Sequence, residues 1–417
     1  MSFELHIPEG WSQVKLSDLG EVNRGRSRHR PRDAAHLYGG PYPFVQTGDV
    51  KASKGRVTQH SQTYSEEGLA QSRLWPKGTM CITIAANIAE TGILTYPACF
   101  PDSVIGFIAD ESKCNVYFIE YVFRLLRKRI QAQATGSVQD NINLQTLERL
   151  LFPIPALEEQ NRIAAVLGEL DDKIHLNDEI NQTLEQMAQA IFKSWFVDFD
   201  PVKAKMSGEQ PEGMNATTAS LFPEKLVESE LGLIPNGWEV KPFSEWVKIT
   251  KGKNITKKTI VEGDVPVVAG GLKPAYFHNA HNVNGPAITI SASGANAGYV
   301  NLYFENIWAS DCSYISQSTT PLFFLQYVAL RYNQKKIFDM QTGAAQPHIY
   351  PRDFERLMIA VPNEELCRKL EDVFASFFGT IANNKQQNIE LAALRDTLLP
   401  KLLSGEIDLD TQEVKCE

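Results

Sequence analysis

Two stretches of the chain carry mainly apolar residues at alternating steps of four and three positions, the spacing of a coiled-coil seam. The first seam runs through Ile163, Leu167, Leu170, Ile174, Asn177, Asn181, Leu184, Ala188, Ile191 and Trp195. The second seam, 207 residues later, runs through Leu370, Phe374, Phe377, Ile381, Asn384, Asn388, Leu391, Arg395, Leu398 and Leu402. The pattern predicts two long helices, and a helix over 157–195 measures ~58 Å at ~1.5 Å per residue.

Both seams are interrupted by two asparagines at matching positions, Asn177 and Asn181 in the first and Asn384 and Asn388 in the second. An amide on a packed seam costs stability, and its best-attested use is to fix register and partner. We therefore expect the two helices to pack on each other; if they run antiparallel, the pairs Asn177/Asn181 and Asn384/Asn388 can meet at one level near the middle. The pattern alone leaves open that each asparagine faces solvent at the edge of the seam.

The segments before the two helices are also repeated. "IPEGWSQVKLSDLGEVNRGR" (7–26) aligns without gaps with "IPNGWEVKPFSEWVKITKGK" (234–253), at a shift of 227 residues. "TGSVQDNINLQTLERLLFPIP" (135–155) aligns with "TGAAQPHIYPRDFERLMIAVP" (342–362), at a shift of 207 residues. The middles differ in sequence, but each holds β-branched runs closed by Gly and a stretch of helical spacing. The chain is thus predicted to be an α+β protein with two mixed α/β domains and a pseudo-twofold internal repeat.

These patterns divide the chain of 417 residues, which is long enough for several cores. The first globular domain is predicted over residues 1–155 and the second over 234–362. The spacer helices are assigned to 156–205 and, with the C-terminal tail, to 363–417. The segment 206–233, with Gly, Pro, Ser and Thr, is predicted to be a partly loose linker.

The formal net charge of −9 is unevenly distributed. Residues 1–155 carry 17 Lys and Arg against 15 Asp and Glu, and residues 234–362 carry 12 against 9. Residues 156–233 carry 6 against 15, and residues 363–417 carry 6 against 11. Both predicted globular domains are therefore mildly basic and both helical segments acidic, so the overall charge does not argue against nucleic acid as a partner.

Other features favour an untargeted cytoplasmic protein. The N-terminal residues lack the basic and apolar regions of a signal peptide, and no apolar run is long enough to span a membrane. The six cysteines lie far apart without a C-x-x-C pair, which favours reduced thiols over disulfides or a zinc ribbon.

No catalytic motif is recognisable in the sequence. "TKGKNITKKT" (250–259) lacks the spacing of a phosphate loop, and "SGANAG" (293–298) lacks that of a dinucleotide loop. A methyltransferase motif is missing too, so a self-contained DNA methyltransferase is not favoured. His278 and His281 are the closest histidines, but no Cys or carboxylate cluster accompanies them, and we predict no metal site. Any catalysis is expected to come from partner subunits.

Clusters of basic residues in both predicted globular domains indicate DNA binding, through phosphates or base edges. The candidates are Arg24, Arg26, Arg28, Arg30, Arg32, Lys51, Lys54 and Arg56 in the first, and Lys251, Lys253, Lys257 and Lys258 in the second. Gln139 and Gln346, matched in the two T-G-x-x-Q loops, suit bidentate contact to adenine. Solvated basic loops, and glutamines that cap their own loops, are the alternatives.

The end of the first helix, "KSWFVDFDP" (193–201), is rich in aromatic residues. Exposed aromatic runs commonly mark interfaces, so Trp195, Phe196 and Phe199 are predicted to contact a partner protein. Burial in a core of this same chain is the alternative.

Several of these segments together resemble the specificity subunit of type I restriction-modification enzymes, most specifically "IFKSWFVDFDPV" (191–202). "PIPALEEQNRIAAVLGELDDKI" (153–174), "LRDTLLPKLLSGEIDL" (394–409) and the paired IP-x-GW and TG-x-x-Q segments carry the rest, over nearly the whole chain. The resemblance implies two target recognition domains that read the halves of a bipartite, asymmetric site in double-stranded DNA. It also implies a non-catalytic chain, with an antiparallel coiled coil that sets the gap between the halves.

The resemblance further implies partners. Two modification subunits would hold S-adenosylmethionine and methylate adenine, and restriction subunits would supply translocase and nuclease activity with ATP and Mg. This chain itself would hold no cofactor. The alternative from another functional class is a bivalent scaffold whose two domains bind proteins or ligands.

Overall fold

A computed structural model of the chain describes residues 7–85, 87–135, 144–343 and 346–409. The described residues form two compact units, one drawn from Met1–His175 and Asn388–Glu417 and the other from Leu176–Gln387. Both long helices are present, at Leu157–Phe196 and Glu364–Leu403, with 40 residues each. Each unit therefore contains a globular α/β part together with a portion of both long helices.

The first unit contains nine strands and four shorter helices among its described residues. The strands are β1 Ser12–Lys15, β2 Gly20–Arg24, β3 Tyr38–Phe44, β4 Gly55–Val57, β5 Gln62–Tyr64, β6 Met80–Thr83, β7 Thr91–Leu94, β8 Val104–Ala109 and β9 Leu151–Ile154. The helices are α1 Thr47–Ala52, α2 Glu66–Ala70, α3 Val116–Thr135 and α4 Leu144–Glu148, followed by the first long helix, α5.

The second unit begins in α5 and ends in the second long helix, α11. Its strands are β10 Leu226–Ser229, β11 Gly232–Pro235, β12 Glu239–Pro242, β13 Thr250–Lys251, β14 Val265–Val268, β15 Tyr276–His278, β16 Ala287–Ser291, β17 Val300–Tyr303, β18 Trp308–Ala309, β19 Cys312–Ser316 and β20 Met358–Val361. Its shorter helices are α6 Asp200–Met206, α7 Ala216–Ser220, α8 Phe243–Trp246, α9 Phe323–Tyr332 and α10 Gln334–Asp339.

The matching sequence ends of each repeat pair with each other as strands. In the first unit β1 and β9 are antiparallel, with Ser12 opposite Ile154. In the second unit β12 and β20 are antiparallel, with Glu239 opposite Val361. These pairs occupy the same positions of the two repeats, so each variable middle is closed by the same two-stranded frame.

The main sheets also share one strand order. The order is β2-β8-β6-β7-β4 in the first unit and β13-β19-β16-β17 in the second. The first four strands of the one sheet correspond to the four strands of the other, and β4 is an addition that pairs parallel to β7. The predicted mixture of strands and helices in each repeat is confirmed, including the strand and turn regions after Gly78 and Gly285.

A core of aliphatic and aromatic side chains joins the helices to the sheet in each unit. In the first unit the buried face of α3, including Phe118 and Val122, packs with sheet residues such as Phe107 and with Leu402 of α11. In the second unit α9 packs with Ile288 of β16 and Phe374 of α11. The sequence marks these helices by apolar residues at helical spacing, and burial of that face is the main force that holds them on the sheet.

Regular structure continues through the segment that connects the two repeats. Helix α7 starts after Asn215, whose side chain accepts a hydrogen bond from the Thr218 N–H group as an N-cap. Strands β10 and β11 form an antiparallel hairpin. The segment 206–233 is therefore structured where a partly loose linker was expected, whereas the proposed domain limits stay predictions.

Candidate nucleic-acid interface and helix contacts

Amide side chains connect the two long helices. In the second unit Asn177 Nδ2 donates to Gln387 Oε1 at 2.8 Å, and Asn384 Nδ2 donates to Asn181 Oδ1 at 2.9 Å. Residue numbers rise on one helix as they fall on the other, so these segments run antiparallel. Asn177 is fully buried and Asn181 is 7% exposed, which explains why each amide needs a polar partner across the seam.

The same antiparallel order continues in the first unit. There Asn388 Nδ2 donates to the backbone oxygen of Ile174 at 3.4 Å. Arg395 Nη1 contacts Asp171 Oδ1 at 2.6 Å, three residues before Ile174 on one helix and seven residues after Asn388 on the other. The asparagines thus bond across the helices as expected, with Asn181 and Asn384 bonded directly to each other, and Gln387 is a partner that the seam pattern did not reveal.

Asp171 is the centre of a buried ionic network in the first unit. The side chain is 6% exposed. Its Oδ2 atom accepts a hydrogen bond from the Tyr121 hydroxyl at 2.8 Å and lies 3.1 Å from Arg124 Nη1. Arg124 also pairs with the fully buried Glu120 at 2.6 Å. The network therefore ties α3 to both long helices, since Arg395 supplies the remaining contact.

The charges of this network set its protonation states. Burial alone would raise the pKa of Asp171, but the guanidinium groups of Arg124 and Arg395 outweigh it and hold the pKa below its ordinary value. Burial, followed by the neighbouring Asp171 charge, raises the pKa of the Tyr121 hydroxyl. Asp171 is thus ionised and Tyr121 neutral at physiological pH, which is the state that the hydrogen bonds require.

Uncharged side chains replace this network at the equivalent positions of the second unit. In the aligned stretches "FIEYVFR" (118–124) and "FLQYVAL" (324–330), Tyr327 corresponds to Tyr121 and Leu330 to Arg124. Phe378, 207 residues after Asp171, meets Tyr327 edge to face at 5.2 Å between ring centroids. Ala188, 207 residues before Arg395, is fully buried. One site in the repeat is therefore ionic in one copy and uncharged in the other.

In both units a basic loop leaves the main sheet at the same place. Gly25 follows β2 and its N–H group donates to the backbone oxygen of Val104 at 2.8 Å, and Gly252 follows β13 and donates to that of Cys312 at 2.8 Å. A Cβ atom on Gly25 would come within 2.3 Å of the Pro101 oxygen, and on Gly252 within 2.4 Å of the Ser310 oxygen. Only glycine permits this close approach of two backbone segments.

The arginines of the first loop differ in their surroundings. Arg32 pairs with Asp102 at 2.7 Å, and Arg24 donates to the Asp102 backbone oxygen. Arg30 donates to the backbone oxygens of Ser27 and His29, at 2.8 and 2.7 Å. Arg26 and Arg28 have exposed side chains. The loop thus presents a row of cations, some of them held in place by hydrogen bonds.

In the second unit basic side chains lie around the ring of Tyr350. Lys251 Nζ lies 5.7 Å from the centroid of the Tyr350 ring, and the Arg352 guanidinium lies 5.8 Å from it. His348 stacks on the same ring at 5.9 Å. The exposed Gln346 is two residues away along the same loop. The structure therefore places Lys251, Arg352 and His348 around the Tyr350 ring, and Gln346 is exposed in the loop that carries His348.

Both repeats match one protein family. The model of the type I restriction modification DNA specificity domain matches this chain twice, over residues 8–186 and 235–393. The chain belongs to this family. The two matches begin 227 residues apart and end 207 residues apart, the same shifts that relate the two sequence repeats. The chain is accordingly a specificity subunit of a type I restriction-modification system, with two repeated domains of mixed α/β content.

Relatives extend over the full length of the chain. The type I restriction enzyme HindI specificity subunit of Haemophilus influenzae is 29% identical, over 95% of this chain and 100% of that protein. The MjaIX specificity subunit of Methanocaldococcus jannaschii is 26% identical, over 97% and 95%. The crystal structure of the S subunit from M. genitalium has a TM-score of 0.55 at 18% identity, over 96% and 98%, and it shares the fold.

Membership of this family defines the general role of the chain. Specificity subunits are the non-catalytic DNA-recognition subunits of type I complexes, and they assemble with the other subunits of those complexes. None of the helices in the described ranges combines the length and apolar character needed to cross a bilayer.

His278, one of the two closest histidines in the sequence, bonds to Val261 through Nδ1 and packs edge to face on Trp308, at 5.1 Å between ring centroids.

The structure corrects one predicted DNA contact in this specificity subunit. The Arg56 side chain is 12% exposed and lies 3.7 Å from Asp172 of α5. Its guanidinium sits over the Tyr117 ring at 4.3 Å from the centroid. Arg56 therefore joins β4 to the helices instead of facing a ligand, because a long cationic side chain can bury its stem and stack its head on an aromatic face.

The structure also corrects the exposure expected for the aromatic residues after α5. Phe196 is 7% exposed and Phe199 is 9% exposed. Both rings pack on Trp238, at 5.3 and 5.6 Å between centroids. Phe199 adopts a left-handed backbone conformation, with φ of 55°, which turns the chain and directs its ring inward. Their prediction as an exposed partner interface is thus wrong, whereas the half-buried Trp195 packs on Phe222.

The remaining predicted residues have the following locations. Lys51 donates to Asn87 Oδ1 at 3.1 Å. The backbone oxygen of Lys54 accepts a hydrogen bond from Arg124. Lys253, Lys257 and Lys258 have exposed side chains, and Gln139 lies outside the described residues. Sequence reasoning missed Tyr350, although an aromatic residue between His348 and Arg352 is a signal for a stacking surface beside cations.

Proposed function

We propose that this specificity subunit reads a bipartite, asymmetric DNA target and directs adenine methylation and restriction by its partner subunits. The observation that supports the proposal is that the two units share one strand framework but carry loops of different sequence. Each unit has the same strand order and the same closing strand pair, but the loops they carry differ in sequence. Two readers of this kind would recognise two different half-sites, because sequence is read by side chains at base edges.

The basic loops are proposed to contact the DNA. In the first unit these contacts would come from Arg24, Arg26, Arg28, Arg30, Arg32, Lys51 and Lys54, and in the second from Lys251, Lys253, Lys257 and Lys258. Their neutralisation of phosphates would supply salt-dependent affinity. Gln346, and Gln139 in the first unit, would add contacts to base edges. Support comes from the exposure of Gln346 in the loop that carries His348, which stacks on the Tyr350 ring near Lys251.

The two long helices are proposed to form an antiparallel coiled coil with pseudo-twofold symmetry that sets the gap between the half-sites. Support comes from the antiparallel hydrogen bonds of Asn177, Asn181, Asn384 and Asn388. A helix of 40 residues measures about 60 Å. That exceeds the ~34 Å between successive major-groove faces of B-DNA, so the pair is long enough to bridge two half-sites.

The gap is predicted to depend on the buried asparagines. Replacing Asn177, Asn181, Asn384 and Asn388 with Leu should raise the free energy of unfolding by about 1–4 kcal/mol, because apolar packing replaces buried amides. It should also loosen the register, since a slipped pairing no longer leaves an amide without a partner. We expect methylated targets with more than one gap length, measured by methylation mapping.

The matched control replaces Gln182 and Lys369, exposed on the same two helices, with Leu. This variant should keep one gap length. A quadruple variant that methylates targets with the original single gap would show that the asparagines do not set the register.

Partner subunits are proposed to dock on the second unit near the end of α5. A groove of about 390 Å³ there is lined by Val197, Leu231, Tyr332 and Lys336, among others. Val197 is 40% exposed and Leu231 46% exposed, which suits contact with another protein. Two methyltransferase subunits with S-adenosylmethionine, and restriction subunits with ATP and Mg, would provide the chemistry, and we assign no residue of this chain to those cofactors.

Methylation mapping tests the proposed function. Cells that express the chain with its methyltransferase partner should acquire N6-methyladenine in a sequence of two short specified blocks separated by an unspecified gap. Cells that lack the chain should not. Methylation of a continuous palindromic sequence, or methylation that is unchanged when the chain is absent, would contradict the proposal and favour a bivalent scaffold.

A further inference from the structure

Two cations and a histidine lie around one aromatic ring at the surface of the second unit. Lys251 Nζ is 5.7 Å and the Arg352 guanidinium 5.8 Å from the centroid of the Tyr350 ring. The His348 ring stacks on the same ring at 5.9 Å. Lys251 and Arg352 are exposed, and Tyr350 and His348 are half-buried. The measured distances therefore place both cations and the ring on one surface.

The two cations of this surface are available to a ligand. Among the residues that the structure describes, no Asp or Glu pairs with Lys251 or Arg352. Arg356 belongs to the same short 3-10 helix, Pro351–Arg356, and differs, because it contacts Asp353 Oδ1 at 3.1 Å. Of the two arginines of this helix, one is therefore occupied within the fold, and the other, Arg352, is held only by the aromatic ring beside it.

The backbone that carries the ring is fixed on both sides. His348 and Thr342 exchange two hydrogen bonds between their N–H and C=O groups, at 2.8 and 2.9 Å. The N–H group of Ile349, which is buried, donates to the Ala292 oxygen at 3.0 Å. Tyr350 therefore projects from an anchored segment, so little backbone ordering is needed when this surface binds a ligand.

Both cations fit within one groove of a DNA duplex. Their distances to the Tyr350 centroid limit the separation of the two cationic groups to about 11.5 Å, and the major groove is ~12 Å wide. A guanidinium presents a planar pair of donors that matches the O6 and N7 atoms of guanine, whereas an ammonium is a point charge that suits a phosphate. One cation can thus reach a base edge while the other contacts the backbone of the same groove.

We propose that Arg352 reads a guanine of the second half-site through hydrogen bonds to O6 and N7, that Lys251 contacts a neighbouring phosphate, and that Tyr350 positions both cations. The second half-site is the half that changes when residues 234–362 are exchanged. The inference rests on the proposed function, since it names a base that the second unit reads and the residue that reads it.

The first unit carries amides at the matching positions of its own T-G-x-x-Q segment. In the alignment of 135–155 with 342–362, Asn141, Asn143 and Gln145 stand in place of His348, Tyr350 and Arg352. Amide side chains pair with adenine, whereas arginine pairs with guanine. The guanine contact is therefore assigned to the second half-site alone.

The test uses the full chain assembled with its methyltransferase partner. Competition binding is measured on duplexes in which each base pair of the mapped second half-site is replaced in turn. We expect the native complex to prefer G·C at one position by at least about 10-fold, the scale of one bidentate base contact. Arg352→Ala should reduce this preference to less than about 2-fold and leave the preferences at the other positions unchanged.

Three further variants separate the roles of the cations and the ring. Arg352→Lys keeps the charge but not the planar fork, so it should lose the guanine preference and keep the native salt dependence. Lys251→Ala should weaken binding to every duplex equally and reduce the slope of log affinity against log salt by about 1. Tyr350→Leu should lower the guanine preference about 3-fold, and Tyr350→Phe, which retains the π face, should restore it.

Matched controls come from basic residues elsewhere in the second unit. Arg368→Ala removes a guanidinium of α11 that is 65% exposed. Lys385→Ala removes a lysine that lies 5.1 Å from the centroid of the Phe304 ring. Both variants should keep the guanine preference and the salt slope of the native complex.

Two results would overturn the inference. One is a native complex that prefers no G·C pair in the second half-site, and the other is an Arg352→Ala complex that discriminates at every position as the native complex does. Failure of the proposed function looks different, because the native complex would then bind the mapped target no more tightly than a scrambled duplex.

Discussion

Exchanging residues 1–155 for the first domain of another specificity subunit is expected to change one half of the methylated sequence completely and leave the other half intact. The physical reason is that β1 and β9 close the first domain on itself, and the basic loop that starts at Arg24 belongs to that domain alone. Specific binding typically exceeds non-specific binding by at least about 10³-fold. Methylation at the original target should therefore fall by about that factor, measured by methylation mapping.

The domain exchange works only if the donor domain preserves the contacts to Asp171. A donor without these contacts serves as the control. The donor domain must present a Tyr and an Arg at the positions of Tyr121 and Arg124, because both contact Asp171 of α5. A donor with apolar residues there would leave a buried carboxylate against an apolar surface, and that chimera should be unstable. A compatible chimera whose methylated sequence changes in both halves would contradict independent reading by the two domains.

Asp171→Asn is expected to destabilise the first unit strongly. The change removes the charge between Arg124 and Arg395, whose side chains are 12% and 16% exposed. Breaking a buried ion pair by removing one partner costs about 3–5 kcal/mol. Hydrogen exchange should report this loss in Val116–Thr135 and in the C-terminal part of α11, and leave the second unit unchanged.

The neighbouring residue provides a matched control. Asp172→Asn changes the same chemical group at a side chain that is 73% exposed and 3.7 Å from Arg56, so it should cost no more than about 1 kcal/mol. A rescue variant copies the second unit by Glu120→Gln, Arg124→Leu, Asp171→Phe and Arg395→Ala. It should recover most of the stability, since well-packed apolar residues can replace a buried ionic cluster. Equal losses for both aspartates would contradict the role of the network.

The pKa shift of Asp171 adds a pH dependence. Because the folded-state pKa is lowered, the ionised carboxylate stabilises the fold at every pH above its unfolded pKa of about 3.9. That stabilisation is lost as the pH falls through the folded-state value. The difference in unfolding free energy between the native chain and Asp171→Asn should thus be constant from about pH 5 to 8 and shrink below about pH 4.

Much of the frame follows from local sequence patterns. The heptad spacing predicts two long helices, and the first, predicted over 157–195, is Leu157–Phe196. The spacer assigned to 156–205 also contains the separate helix α6, which the heptad spacing does not predict. The duplicated ends predict that the two domains share a frame, because the same residues at the same shifts form the same closing strand pairs. Asn181 and Asn384 bond across the seam, as their repeated placement indicates.

Features that depend on the environment of a single side chain are not readable in this way. In the sequence Arg56 is indistinguishable from the basic residues near it. In the structure its guanidinium stacks on the Tyr117 ring and is not available at the surface. The sequence predicts that Phe199 is an exposed aromatic residue. In the structure its left-handed backbone conformation directs the ring onto Trp238. The ionic network is not predictable from the sequence either, because Arg395 lies on the heptad seam but no sequence pattern indicates that Asp171 faces it.

Footprinting of the chain in complex with its methyltransferase partner, on a duplex that carries the mapped target, tests the central claim most directly. If two DNA-reading domains are held at a set spacing by the paired helices, two short blocks will be protected, with an interval of unprotected base pairs equal to the gap in the methylated sequence. A single continuous protected block, or no protection even at low salt, would contradict the account.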